Sequence, residues 1–483
     1  MARTYSGIRE TRPHTYNDLG GGSQRLALGF HQQCLRHADR TFSQGLQCQQ
    51  INSVSAVLSM EDAAFVIHSP QGCSGCVAMG ADGYRVGQAH RGVRLIKSPR
   101  VIVTNLDQND VVYGGEKKLR EAVRLAAERY SPKMIFIFTS CASGIIGDDV
   151  DAIAADLQAA QKAAFPVIIP IHCDGFRSKV CASGFDAAFI AIQKFLLPKE
   201  PQTKVDGLVN LFAPTSISYK DQLEIERMLG LLGATVNYIP FYSSYDKIRR
   251  ITAAQASTSI CKVFADEFMK ELDQTYGIPF AHTVMPIGIR NTDKWLIGIA
   301  ELLGKTERAR DYIDREHKRV QPRLNEIKER LQGKRVFICG GTGRSFAAAA
   351  LIDDFGMKLV GLETPTYDLD AQIDVEYLNG IHGDYVIDVA NMQPFEQVNL
   401  VSRLKPDVFI GVPSWSARLG VPTTHVLDPK RPTMGYDGIL YLGEKIADQV
   451  ENPGFNRKLA PYARLPYKQS WYDSDAFKFI QEG

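Results

Sequence analysis

Three cysteines of this chain sit where the backbone is expected to turn. Cys48 lies in Gln47-Cys48-Gln49-Gln50, and Cys73 ends His68-Ser-Pro-Gln-Gly-Cys73. Cys141 follows the apolar run at 134–140 and precedes Ala-Ser-Gly. A thiol at the carboxyl end of a buried parallel strand faces the crevice where open α/β sheets place ligands. Thiolates so placed can hold part of an iron–sulfur cluster. A single cysteine is most often a small buried hydrophobe, so the case rests on the set.

The other cysteines are Cys34, Cys76, Cys173, Cys181, Cys261 and Cys339, nine in all within 483 residues. An odd count in a large chain without an export signal points to metal ligands, catalytic groups or buried thiols rather than disulfides. The start, Met-Ala-Arg-Thr-Tyr-Ser-Gly, lacks a signal-peptide core, and no apolar run is long enough to span a bilayer. A cytoplasmic protein without membrane contact is expected. The net charge of +2 argues against a general nucleic-acid binder. The length exceeds what one hydrophobic core supports, so two or three domains are expected.

The elements that must position these thiols alternate between strand and helix. The pattern predicts strands at 101–106, 134–140 and 166–173, with one helix following 114–119 and running through 127 and another from 150 to about 162. A linker at 198–204 precedes a second unit with a strand at 207–212, a helix at 219–232 and a strand at 235–239. The segment 257–275 reads as a helix carrying Phe264, Phe268 and Leu272 on one stripe, with Cys261 on that stripe as a core residue. A charged helix at 306–332 leads to a third unit. There the strand at 334–341 is followed by a glycine-rich turn and a helix at 345–355, with strands at 357–362, 385–389, 408–412 and 424–427. Apolar strands alternating with amphipathic helices mean α/β parallel sheets covered on both faces. Gly340-Gly341-Thr342-Gly343 lacks the full dinucleotide spacing, and a structural or cofactor-facing turn ranks above NAD binding. The expected organisation is an irregular arm at 1–44, units at 45–203, 204–310 and 311–450, and a wrapping segment at 451–483.

Taken together, several motifs resemble the α-type subunit of nitrogenase component 1 and its nitrogenase-like relatives. They are Cys48; His68-Ser-Pro-Gln-Gly-Cys73; Asp110-Val-Val-Tyr-Gly-Gly-Glu-Lys-Lys-Leu119; Thr139-Ser-Cys141; Ile146-Gly-Asp-Asp149; Cys173-Asp-Gly-Phe-Arg177; Tyr276-Gly-Ile-Pro279; and Gly435-Tyr-Asp-Gly438. The resemblance implies three Rossmann-like domains with metal clusters at domain and subunit interfaces. It implies that Cys48, Cys73 and Cys141 hold one side of a P-cluster-like 8Fe-7S or related centre shared with a β-type subunit in an α2β2 heterotetramer. Cys76 matches no family ligand. Cys261 stands fifteen residues before Tyr276, where the family binds the terminal iron of a large nitrogenase-cofactor-like iron–sulfur cluster, with an iron-only form left open. An ATP-dependent 4Fe-4S iron protein is the implied electron donor.

The departures are as informative. Met434 occupies the position of the family's second cofactor ligand, a histidine, and a thioether is a weaker ligand; His425 is the alternative from the 424–426 loop. Cys181 and Phe185 fall where nitrogenases carry a glutamine and a proton-donating histidine. Phe cannot donate a proton, which argues against dinitrogen reduction. Cys181 is either a thiol donor or a packing residue. Arg344 falls where the family sets a basic residue over the cofactor, and the plainer reading is a solvated charge at a helix start. Two functions follow. One is a nitrogenase-like reductase of a small organic sulfur substrate, with methylthio-alkane reductase the best-fitting type, cleaving C–S bonds to methanethiol and hydrocarbon. The other is a cofactor-assembly scaffold. A tetrapyrrole reductase is disfavoured by Cys261.

Overall fold

The computed structural model describes residues 7–40, 48–160, 165–213, 217–282, 284–411 and 416–482. Three parallel sheets form the body. The first has strands in the order Val101–Val103, Ala63–Ile67, Met134–Phe138 and Val167–Ile171. Every residue of Ala63–Ile67 and Met134–Phe138 is buried, because helices cover both faces and leave no solvated side to alternate with. Sequence periodicity missed Ala63–Ile67, the inner strand that pairs with both Val101–Val103 and Met134–Phe138. It also missed the helices Gln49–Val57 and Gly75–His90 that flank the first two cysteines.

The second sheet orders Thr235–Pro240, Leu208–Ala213 and Ala256–Ser259. The helix expected over 257–275 is corrected here. Residues Ala256–Ser259 are a fully buried parallel strand, and the helix runs only from Asp266 to Tyr276. Cys261 therefore lies just past the carboxyl end of a strand, in the kind of position predicted for Cys141, and not on a helical stripe.

The third sheet carries Val386–Val389, Lys358–Thr364, Arg335–Cys339, Val408–Gly411 and Thr423–Thr424 in parallel. Its free edge is closed by Leu19–Gly22 from the amino-terminal arm, paired antiparallel to Val386–Val389. The arm at 1–44 is thus not irregular throughout: it holds this strand, the helix Ser23–His31 and the short strand Ala38–Arg40. Gly20-Gly21-Gly22 runs as an edge strand because glycine lets neighbours press close; a Cβ on Gly20 would overlap the Phe477 ring. The strand Ala38–Arg40 pairs with Ile480–Glu482, so the two ends of the described chain meet.

The long charged helix is continuous over Thr306–Leu331 and buries Ala309, Tyr312, Ile313, Val320, Leu324, Ile327 and Leu331 against the rest of the body. In the final segment Trp471 is buried and stacks on Phe395 at 3.7 Å between ring centroids. No helix among the described residues is long and apolar enough to cross a membrane. The far end of the helix predicted to about 162, Val412 and the Cys76 side chain lie outside the described residues.

Candidate functional site

Cys48 is the residue just before the helix Gln49–Val57, Cys73 lies in the short turn Gln71–Ser74, and Cys141 begins the helix Cys141–Ile146. The fold brings all three to one place. Cys48 and Cys141 meet at Gly175, where a Cβ would stand 3.0 Å from Cys48 Cβ and 3.3 Å from Cys141 Sγ, and Cys73 lies within electrostatic reach of both. Burial pushes the Cys73 thiol up, and the neighbouring Cys141 and Cys48 thiols push it further. Clustered thiols become stable thiolates together only when a cation joins them. Cys48 and Cys141 are exposed and Cys73 is half-exposed. Three thiols facing outward around a bare glycine fit one side of an iron–sulfur centre whose other side is supplied from elsewhere. Among the described residues no three His, Cys, Asp or Glu side chains form a single-ion site.

The motif residues beneath this site form one network. His68 Nε2 lies 2.9 Å from Asp148 Oδ2, and the backbone N–H of Gly115 donates to both Asp148 oxygens at 2.9 and 3.1 Å. His68 Nδ1 is 3.2 Å from Thr104 Oγ1, and Ser140 Oγ donates to the His68 carbonyl at 2.9 Å. Burial lowers the His68 pKa, against the pull of Asp148. A Cβ on Gly115 would lie 2.8 Å from Asp148 and 3.0 Å from the His68 ring. Three loops, at 68, 115 and 148, are therefore locked together, and the first runs directly into Cys73.

The second site is built on Cys261. Ser259 shapes its loop by accepting from the Cys261 N–H at 3.2 Å and donating to the carbonyls of Cys261 and Phe264. Ala265 then takes φ +65°, a left-handed conformation that a residue with a Cβ adopts at a cost. Gly343, at the start of the helix Thr342–Asp354, presses on this loop; a Cβ there would sit 3.3 Å from Cys261 Cα and 3.4 Å from its sulfur. The glycine-rich turn thus faces the Cys261 thiol. Burial raises the Cys261 thiol pKa, while the Val263 backbone, Arg9 and Arg344 pull it down.

Phe185 joins this site. It and Cys261 pack on the same apolar patch of Val180, Ala182 and Val263, and its ring meets Phe264 edge-on at 5.0 Å. Cys181 is half-buried, its thiol pushed up to about 11 chiefly by burial, and it donates to Asn391 Oδ1 at 3.4 Å. Arg344 Nη1 donates to the Val426 carbonyl at 2.6 Å, and the residue is within electrostatic reach of Cys261 and Asp221. It is not a solvated charge. His425, one residue before Val426, is half-buried, and burial first, then Lys445 and Arg344, lowers its pKa, which favours the neutral imidazole that ligates through nitrogen. Met434 is fully buried in the largest apolar core, and its backbone N–H donates to Asp221 at 3.2 Å.

Sequence reasoning missed the residues that hold this pocket shut. Arg9 Nη2 donates to Asp186 Oδ1 at 2.9 Å, Asp266 Oδ1 at 2.6 Å and the Val263 carbonyl at 2.9 Å, and its backbone N–H donates to Ser183 at 3.0 Å. Arg12 bridges the same two carboxylates at 3.0 and 3.1 Å. Glu10 accepts from Ser178 Oγ and from the Lys179 N–H. The arm thereby stitches the 178–186 segment, which carries Cys181 and Phe185, to the 261–266 segment, which carries Cys261. The available signal was Asp186, a lone charge inside the apolar stretch Gly184-Phe-Asp-Ala-Ala-Phe189.

A family model described as nitrogenase component 1 type oxidoreductase matches residues 48–451. The nitrogenase iron-molybdenum cofactor biosynthesis protein NifE of Rippkaea orientalis is 25% identical over 91% of this chain and 90% of that protein. The protein of the same name from Clostridium pasteurianum is 28% identical over 81% and 84%. The nitrogenase molybdenum-iron protein alpha chain of Methanothermobacter marburgensis is 25% identical over 82% and 85%. Among solved structures, a chain of nitrogenase Cp1 at pH 5 superposes with a TM-score of 0.72 at 21% identity, covering 89% of this chain and 92% of that one.

Proposed function

This chain belongs to the nitrogenase component 1 type oxidoreductases, and we propose that within this family it is a cofactor-assembly subunit, holding a precursor iron–sulfur cluster at Cys261 as cargo for a recipient protein. The observation that carries this reading is the one-sided pocket. Cys261 offers a thiol on a shaped loop, whereas Met434, at the position the resemblance gives to a second ligand, has its side chain spent in the core. Cargo gripped by one strong thiolate, with His425 as a weaker second contact, can leave; cargo clamped at both ends cannot. The likeness to proteins named for cofactor biosynthesis supports the same reading.

The chain's own residues then divide the work. Cys261 loses its proton on loading, helped by the positive charges of Arg9 and Arg344. Phe185 and Phe264 keep one wall dry. Cys181, protonated at neutral pH, presents an S–H donor. Cys48, Cys73 and Cys141 would hold their half of a centre that, when bound, supplies low-potential electrons. Val111, Val112, Tyr113, Ile145 and Phe176 are exposed on the segments beside Cys141 and Gly175. Such a surface suits a β-type subunit closing over the thiols in an α2β2 assembly, served by an ATP-dependent iron protein.

A second reading is favoured by the apolar wall itself. Phe185 in edge contact with Phe264 suits a small organic sulfur substrate better than an inorganic one, which fits reductive C–S cleavage of a methylthio-alkane. One experiment separates the two. The anaerobic complex is supplied with its iron protein and ATP, and methanethiol release is measured beside activation of cluster-free nitrogenase. Activation without methanethiol is expected; methanethiol without activation overturns the assembly reading in favour of the reductase. Under either reading Phe185→His alone is expected to yield no ammonia from dinitrogen, because Met434 still stands at the other end of the pocket. Ammonia from that variant, measured by isotope label, would contradict the importance given to Met434.

A further inference from the structure

A cavity of about 330 Å³ opens where the three units meet, and no cysteine lines it. Its walls come from the helix Gly75–His90 of the first unit, from Ile217–Tyr219 of the second and from Leu427 and Pro429 of the third. Neither Cys261 nor Arg344 lines it. One face of the helix is bare: Gly80, Gly83 and Gly87 all border the cavity. Glycine is, after proline, the residue a helix interior tolerates least, so this face has a steric cause. A Cβ on Gly87 would overlap the Tyr242 hydroxyl, and one on Gly80 would come 2.6 Å from Leu58. Gly83 is different, because a Cβ there would meet nothing within 4 Å. It looks into open space.

The charged group on this cavity is Arg91. Its guanidinium carbon lies 3.7 Å from the Tyr242 ring centroid, 4.9 Å from Phe241 and 5.1 Å from Tyr219. Nη1 donates to the Gly87 carbonyl at 3.0 Å and Nη2 to Gln222 Oε1 at 2.5 Å. Among the described residues no ion pair to Arg91 is formed and no Asp or Glu lines the cavity; the carboxylate that acts on it electrostatically, Glu226, lies behind Gln222, whose amide donates to it. Tyr242, the closest ring, is held at φ +46° by hydrogen bonds from its N–H to Ser59 and from its hydroxyl to the Tyr84 carbonyl. A strained residue fixed on both sides marks a wall kept in one shape. Stacked aromatic rings orient the guanidinium plane, and its remaining N–H groups are left for an acceptor.

We propose that this cavity binds a small organic monoanion with an apolar body, its carboxylate or similar head on Arg91 and its body along the glycine face between Ile217 and Leu427. The site is independent of cluster loading, and the proposal stands whichever function the Cys261 site serves. The probes are hexanoate, benzoate and 4-phenylbutyrate, each beside its neutral amide, titrated by calorimetry into the full chain as purified. At least one carboxylate should bind, and its amide should bind about tenfold more weakly or not at all, as expected for loss of a charge-assisted contact. Arg91→Met should cost a similar factor. Gly83→Leu, whose side chain enters open space, should abolish binding while the circular dichroism spectrum and melting temperature stay as in the wild type. Absence of binding by all three carboxylates, equal binding of acid and amide, or unchanged binding in the folded Gly83→Leu protein would each overturn the proposal.

Discussion

Cys261→Ala is expected to strip the larger cluster from anaerobically purified protein while leaving the centre at Cys48, Cys73 and Cys141 in place. The two sets of thiols stand on different sheets: Cys141 follows a strand of the first, and Cys261 follows a strand of the second. The loop that presents Cys261 is shaped by Ser259 and backed by Gly343, and no part of the His68–Gly115–Asp148 network reaches it. Removing the sulfur therefore removes one grip without disturbing the other. Iron per chain and the low-temperature paramagnetic resonance spectrum report both centres at once. Loss of both, or of neither, would contradict the assignment. Cys141→Ala should give the mirror result.

Arg9→Ala should destabilise the protein by about 3–5 kcal/mol, the range found when one partner of a buried ion pair is removed. The Arg9 and Asp186 side chains are each only 3% exposed, so truncation leaves two carboxylates facing one another with Arg12 alone between them. Arg9→Lys should recover only part of the loss, because an ammonium cannot fork to Asp186, Asp266 and the Val263 carbonyl in one plane. Denaturant unfolding measures the stability. Timed alkylation with mass spectrometry gives a local readout: Cys181 and Cys261 should react faster in Arg9→Ala than in the wild type, while Cys48 and Cys141 keep their rates. Wild-type rates at all four thiols, with unchanged stability, would mean that the arm does not close the pocket.

The legible part of this protein was the part whose pattern is local. Strands buried on both faces read as unbroken apolar runs, so Met134–Phe138 and Leu208–Ala213 were found within a residue or two. The carboxyl end of the first then placed Cys141. Ala63–Ile67 was overlooked because five apolar residues between two helices cannot be told from a buried helical turn by periodicity. The strand before Cys261 was hidden for another reason. Ala256–Ser259 reads Ala-Ser-Thr-Ser, with no aliphatic run, and the Phe264, Phe268 and Leu272 spacing beyond it extended a helix backwards over it. Tertiary burial overrode composition there. Resemblance, not periodicity, singled out Cys261. The Arg9 stitch was overlooked, because folding brings its partners to it from far along the chain and the one local signal was Asp186, a lone charge in an apolar stretch.

The edge strand Leu19–Gly22 has a consequence for biosynthesis. These residues are made well before their partner Val386–Val389, and Arg9 must likewise wait for Asp186 and Asp266. These two amino-terminal segments can therefore take their places only after their later partners are made. Until Arg9 and Arg12 pair with Asp186 and Asp266, the 178–186 and 261–266 segments lack the ion pairs that tie them together, so seating of the arm is a late step in joining the two cysteine-bearing segments.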